Sequence, residues 1–223
     1  LHRQFAHGPC DHRPMNFPLA PLALCQGLFL TNNVVFIAIN GLVGLALAPL
    51  AWMATLPVAG YVVGGAMSAP LVARTQRLWG RKRSFQLGLL VAAASAGLCA
   101  FAAATKNFPL LVAATVIAGY YNANASLYRF AGPALVAPSL KEKAISLVLA
   151  GGIIGAFAGP NLANQTKSLM AVPFAASYLA LVGVAVLGLI AVSFIAFPKH
   201  EPPQAGASSG RPLAEIARQP VFI

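Results

Sequence analysis

The sequence predicts an all-α integral membrane bundle of six spanning helices, and three observations carry that prediction. Hydrophobic residues make up 58% of the 223-residue chain and charged residues only 9%, against roughly 25% charged in a soluble domain. Mean hydropathy is +0.74. The apolar residues fall in runs near the roughly 20 helical residues that cross a hydrocarbon core, with the cations gathered between the runs. A net charge of +11 in a soluble domain would point to nucleic acid. Here the segments beside the cations lack the polar residues such a domain needs, so the charge sets orientation and no nucleic-acid partner is expected.

Residues 1–16 precede the first run and read as a disordered cytoplasmic tail. His2, His7, Cys10, Asp11 and His12 lie there without the periodicity that would preorganise metal ligands. Met15 is a candidate natural start. The six-helix domain is expected over 17–198, with spans at about 20–43, 51–73, 85–104, 108–131, 144–164 and 174–197. The first break is soft in hydropathy, and length decides it: residues 20–73 as one helix would measure roughly 80 Å, far beyond a ~30 Å core. Between the second and third spans lies the basic turn Ala73-Arg-Thr-Gln-Arg-Leu-Trp-Gly-Arg-Lys-Arg83. From Lys199 to Ile223 the composition is that of a polar cytoplasmic linker, ending where a seventh span would begin.

Charge placement tests this division. With the N-terminus cytoplasmic, thirteen of the fifteen Lys and Arg residues fall inside, and only Lys106 and Lys167 fall outside, as the positive-inside rule requires. The pattern fits a multi-pass protein of a bacterial inner membrane. All four acids (Asp11, Glu142, Glu201 and Glu215) lie in loops or tails, so no intramembrane carboxylate is available as a proton carrier. All four histidines lie in the tails, which leaves no constellation for an intramembrane enzyme. Cys10, Cys25 and Cys99 match no metal or redox spacing, and no cofactor is implied.

Within the spans, polar and small residues take periodic positions. Gln26, Asn33 and Asn40 recur every seven residues and so share one helix face. Tyr121, Asn124 and Tyr128 share another at i, i+3, i+7. Both faces read as walls of a substrate cavity; the competing reading is hydrogen bonding that only ties helices together. Arg129, near a predicted cytoplasmic end, is a substrate or gating charge or simply snorkels. Gly60 and Gly64 in the second span and Gly151, Gly155 and Gly159 in the fifth recur every four residues, a spacing that lets helix backbones close up. Pro160 removes a backbone donor and predicts a kink or local opening. These surfaces read as tight packing or as faces that slide and rock.

Six spans, the basic turn, Gly-x-x-x-Gly-Pro in the fifth span and the polar linker together resemble the N-terminal half of a major facilitator superfamily transporter, over about residues 17–223. Gly80, Lys82 and Arg83 match the family's loop motif, with Arg77, Gly80, Arg81, Lys82 and Arg83 forming its cytoplasmic gate loop. Ala73 stands at its leading glycine and Arg77 at its acid. Gly155, Gly159 and Pro160 match the fifth-span motif associated with exporters and antiporters, which leans the direction toward efflux; Ala163 and Asn164 stand where two further glycines are usual. The resemblance implies two inverted three-helix repeats, half of a twelve-helix fold, and secondary active transport of a small solute by alternating access. It implies that the first and fourth spans line the cavity while the second and fifth move against the other half. The chain is then expected to be an incomplete, truncated half whose partners are the bilayer, a small-molecule substrate, and a missing C-terminal half or a second copy. The alternative is a self-contained six-span homo-oligomeric channel or carrier.

Overall fold

The computed structural model describes residues 16–136, 138–170 and 172–197. The expected N-terminal tail up to residue 15 and the linker 199–223 lie outside the described residues. The described chain is helical: α1 (Asn16–Leu47), a 3-10 turn (Ala51–Thr55), α2 (Leu56–Ala104), α3 (Phe108–Ala125), the short α4 (Tyr128–Ala131), two further 3-10 turns, α5 (Lys141–Thr166) and α6 (Ala175–Ser193). Five of these elements are long and apolar enough to cross a membrane.

The expected second and third spans are one element. α2 runs 49 residues, about 74 Å if straight. It is not straight, because Gly80 sits at φ 78, ψ 166, a region open essentially to glycine alone. The side chains of Thr75 and Ser84 show the result: nine residues apart, they would stand about 13.5 Å apart along one helix, yet their Oγ atoms are 3.0 Å apart. The element therefore folds back on itself as two arms, 56–79 and 81–104, each long enough to cross a bilayer. The basic stretch is accordingly no loop. It is helix on both sides of a single reversing residue. Hydropathy marks where a helix leaves hydrocarbon, not where its hydrogen bonding stops.

Other bounds move for local reasons. α1 begins four residues before the expected first span and ends four after it. α3 opens where the Asn107 Oδ1 accepts from Leu110 N at 3.0 Å, an N-cap with Pro109 two residues on in the first turn. It stops at Ala125, short of the expected 131, and the chain resumes as α4. The break is a tightened turn in which Leu127 N bonds to Asn124 O, three residues back. α5 continues through Pro160 to Thr166, so the expected opening there takes the form of a missing donor inside an unbroken helix.

α1 packs chiefly on α5, α2 on α3, and α6 against both α2 and α1. Two buried apolar clusters are stacked along α1. One holds Leu22, Cys25, Phe29, Phe85, Tyr121, Tyr128 and Val148. The other holds Val35, Phe36, Ile39, Tyr61, Cys99, Tyr178 and Leu181. Between them, at the middle of α1, come Thr31, Asn32 and Asn33.

Candidate substrate face and the Gly80 corner

On α1 the three amides alternate with two rings. Gln26, Phe29, Asn33, Phe36 and Asn40 recur at steps of three and four and form one stripe. Each ring meets a tyrosine from another element. Phe29 stands edge-on to Tyr121 at 5.9 Å between centroids and to Tyr128 at 6.4 Å. Phe36 lies 4.8 Å from Tyr61 and 6.4 Å from Tyr178. Phe85 closes the Tyr128 side at 4.7 Å. Tyr121 and Tyr128 thus converge with the Gln26–Asn33 stripe, across the α3 break that the simple spacing argument did not foresee.

The amides differ in what they bond. The Asn40 Nδ2 donates to Phe36 O at 2.8 Å, and its Oδ1 accepts from the Tyr178 hydroxyl at 2.9 Å. Asn40 is therefore spent tying α1 to α6. Gln26 Oε1 and Asn33 Oδ1 are buried without a hydrogen-bond partner, and so is the Tyr61 hydroxyl. A buried polar atom left so costs about 1–3 kcal/mol. Tyr61 was not among the residues singled out from sequence. The signal was present: it is one of two hydroxyls, with Ser68, in the apolar run Leu56–Ala73.

Asn124 belongs to a different assembly. Its Nδ2 donates to Ser84 O at 2.6 Å and Ser84 Oγ at 3.3 Å, and its Oδ1 accepts from Gln76 Nε2 at 3.4 Å. Thr75 Oγ1 lies 3.0 Å from both Ser84 Oγ and the Tyr120 hydroxyl. This network clamps both arms of α2 to α3 at the Gly80 corner, and it uses Asn124 away from the α1 stripe. Two cations finish the corner. Arg81 Nη1 donates to Phe130 O at 3.3 Å and Lys82 Nζ to Ser193 O at 2.8 Å. Each holds a carbonyl near a helix C-terminus, where positive charge is favoured. Arg77 and Arg83 are exposed. Arg129 is exposed too, its guanidinium 4.9 Å from the centroid of the adjoining Phe130 ring.

The glycines are engaged inside the bundle. A Cβ on Gly155 would overlap Gly27 O, one on Gly151 would overlap Ala23 O, and one on Gly159 would meet Val34 at 3.0 Å. Thr31 Oγ1 completes that seam, donating to Gly27 O at 3.0 Å within α1 and lying 3.2 Å from Gly155 O across it. Gly60 and Gly64 sit likewise against Thr115 and Val116 of α3. The outer faces of these helices carry exposed Val62, Val63 and Met67, and Ile153, Ile154 and Phe157, while Pro160 is also exposed. A groove of about 440 Å³ lies between the α2 arms and α3, lined by Gly64, Met67, Leu71, Val91, Ile117 and Tyr120 among others. It is apolar and does not include the unpartnered amides, so the chemistry on α1 outweighs its volume as a guide to the site.

The Major Facilitator Superfamily family model matches residues 19–223. The chain belongs to that superfamily. It is 33% identical over 204 residues to a riboflavin transporter of Brucella anthropi, covering 91% of this chain and 51% of that protein. It is 35% identical over 100 residues to a chloramphenicol resistance protein of Streptomyces lividans, covering 44% of this chain and 25% of that one. Among solved structures, the human organic anion transporter MFSD10 superposes with a TM-score of 0.63 at 17% identity, covering 86% of this chain and 50% of its own. That likeness speaks for the fold. The chain spans about half the length of the riboflavin transporter and of the human protein. The chain is a multi-pass membrane protein of a transporter family, whose members are not normally enzymes.

Proposed function

We propose that the chain supplies the N-terminal six-span half of a secondary transporter that moves a small solute across a bacterial inner membrane by alternating access. The observation that carries the proposal is the amide–aromatic stripe at the middle of α1, in a chain of this superfamily. Polar atoms buried without partners at mid-membrane depth mark a place that something else contacts in another state. Gln26 and Asn33 with Tyr121 and Tyr128 are the substrate-facing set. Asn40 and Asn124 support it from the bundle side. Export or antiport is the favoured direction, from the Gly155–Gly159–Pro160 motif and from a relative whose name is that of a resistance protein. The second half, or a second copy of the chain, packs on the exposed outer faces of α5 and of the first α2 arm. The inverted three-helix repeats and the cytoplasmic N-terminus are part of the same reading.

A test of alternating access needs no substrate. With the native cysteines replaced by serine, Asn33→Cys is expected to react with membrane-impermeant thiol reagents from either face of oriented vesicles. Locking one face with a bulky adduct is expected to abolish reaction from the other. Labelling from one face alone, under all conditions, would argue instead for a fixed site such as that of a self-contained channel or scaffold.

A further inference from the structure

We propose that the groove between the two arms of α2 and α3 holds one chain of an anionic phospholipid, with Arg74 and Arg83 taking its headgroup at the Gly80 corner. The site needs only a protein that stands in a bilayer. It adds a lipid to the transporter reading and does not depend on the substrate or the direction of transport.

The groove is apolar for most of its length. Gly64, Met67, Ser68 and Leu71 line it along the first arm, and Leu87 and Val91 along the second. Tyr120 lines it from α3, with its hydroxyl 3.0 Å from Thr75 Oγ1, so the groove turns polar toward the corner. Its length fits a single leaflet. Gly64 and Arg74 are ten residues apart, about 15 Å of helix, and half of a ~30 Å hydrocarbon core is the same distance. A lipid chain in the groove therefore starts at headgroup level and ends near the midplane.

Charge decides which lipid. Arg74 lies three residues beyond Leu71 and seven beyond Met67, and Arg83 lies four before Leu87, so each continues a row that lines the groove. The contact of Thr75 with Ser84 brings the ends of the two rows together. Arg81 and Lys82 are already bound to carbonyls, whereas Arg74 and Arg83 are exposed. Glu142 is the sole acid among the described residues, and it opens α5, which packs chiefly on α1. No carboxylate of the described bundle therefore competes at the groove. Cations at the membrane surface attract anionic lipid, and guanidinium forks bond phosphate oxygens. Two arginines favour a headgroup of net negative charge over one that carries its own cation. Met67 forms the rim shared with the outer face given to the second half.

The test counts lipids on the full chain. Nanodiscs hold equal parts of phosphatidylglycerol and phosphatidylcholine, and native mass spectrometry of the released protein reads which lipid stays bound. One phosphatidylglycerol per chain is expected, preferred by about fivefold for each arginine. Arg74→Gln combined with Arg83→Gln is expected to bring the preference close to one at an unchanged thermal midpoint. Lys106→Gln, beyond the far end of α2, is expected to keep it. Ser68→Trp fills the groove and is expected to release the lipid; Val91→Trp does the same from the opposite wall should the first variant not insert.

Equal retention of the two lipids would overturn the anionic class. A full preference in the double arginine variant would overturn the headgroup assignment. An undiminished preference in the filled variants would show cations recruiting lipid without the groove, and would overturn the seat of the chain. A disulfide between two Met67→Cys chains in the intact membrane, with no lipid retained, would overturn the proposal by putting a second copy in the lipid's place.

Discussion

The Gly80 corner and the α1 stripe use the same kinds of side chain and treat them in opposite ways. At the corner, Asn124, Gln76, Thr75, Ser84 and Tyr120 all find partners within 3.4 Å. On the stripe, Gln26, Asn33 and the facing Tyr61 each keep a buried atom unbonded. Asn40 shows that the difference is not imposed by the helix. It lies on the same stripe and is fully engaged by Phe36 and Tyr178. A satisfied polar group ties its neighbours together, whereas an unsatisfied one ties nothing in this conformation. The two regions should therefore respond with opposite signs when a polar group is removed.

The largest effect is expected at the backbone of the corner. Gly80→Ala puts a Cβ at φ 78, ψ 166, at a cost of about 1–3 kcal/mol. It also strains the reversal that brings Thr75 to Ser84. Loss of folded, membrane-inserted protein, or a clear drop in thermal midpoint in detergent, is the expected result. A normal midpoint would mean that the bend is held by the packing of the arms alone.

Next in size is Asn124→Ala. It frees Ser84 O and the Gln76 amide together and is expected to cost about 1–2 kcal/mol, measured by unfolding in detergent. Tyr61→Phe supplies the contrast, since deleting an unbonded buried hydroxyl should leave stability level or raise it. Equal losses in both variants would erase the distinction between corner and stripe.

Sequence carried the helices, the positive clusters and the interior faces of α1 and α3, because hydropathy and periodicity both average over many residues. It carried Gln26, Asn33, Tyr121 and Tyr128 as an inward set. It did not separate Asn40 and Asn124 from that set, because an amide's role depends on which side chain of another helix meets it, here Tyr178 and Ser84. It treated Arg81 and Lys82 as gate charges. Their carbonyl partners, Phe130 O and Ser193 O, belong to helix ends whose positions are fixed only by the folded bundle. The glycines were legible as close-packing residues, but whether they face inward or toward another half is a matter of helix rotation. Their contacts with Gly27, Val34, Thr115 and Val116 turn them inward.

The smallest effect tests what stands at the family's acid position. With Arg77 there, the corner cannot be latched by a carboxylate from that site, and Lys82 on Ser193 O ties α2 to the end of α6 instead. Replacing a cation at a helix C-terminus costs about 0.3–1 kcal/mol where solvent reaches it, and salt screens it. Lys82→Gln is therefore expected to lower the thermal midpoint slightly at low ionic strength and hardly at all in high salt, because glutamine still donates to the carbonyl while the charge is lost. A loss that persists in high salt would show that the aliphatic stem of Lys82, alongside the 3.2 Å bond from Gln86 Nε2 to Ser193 Oγ, holds α6 by contact rather than by charge.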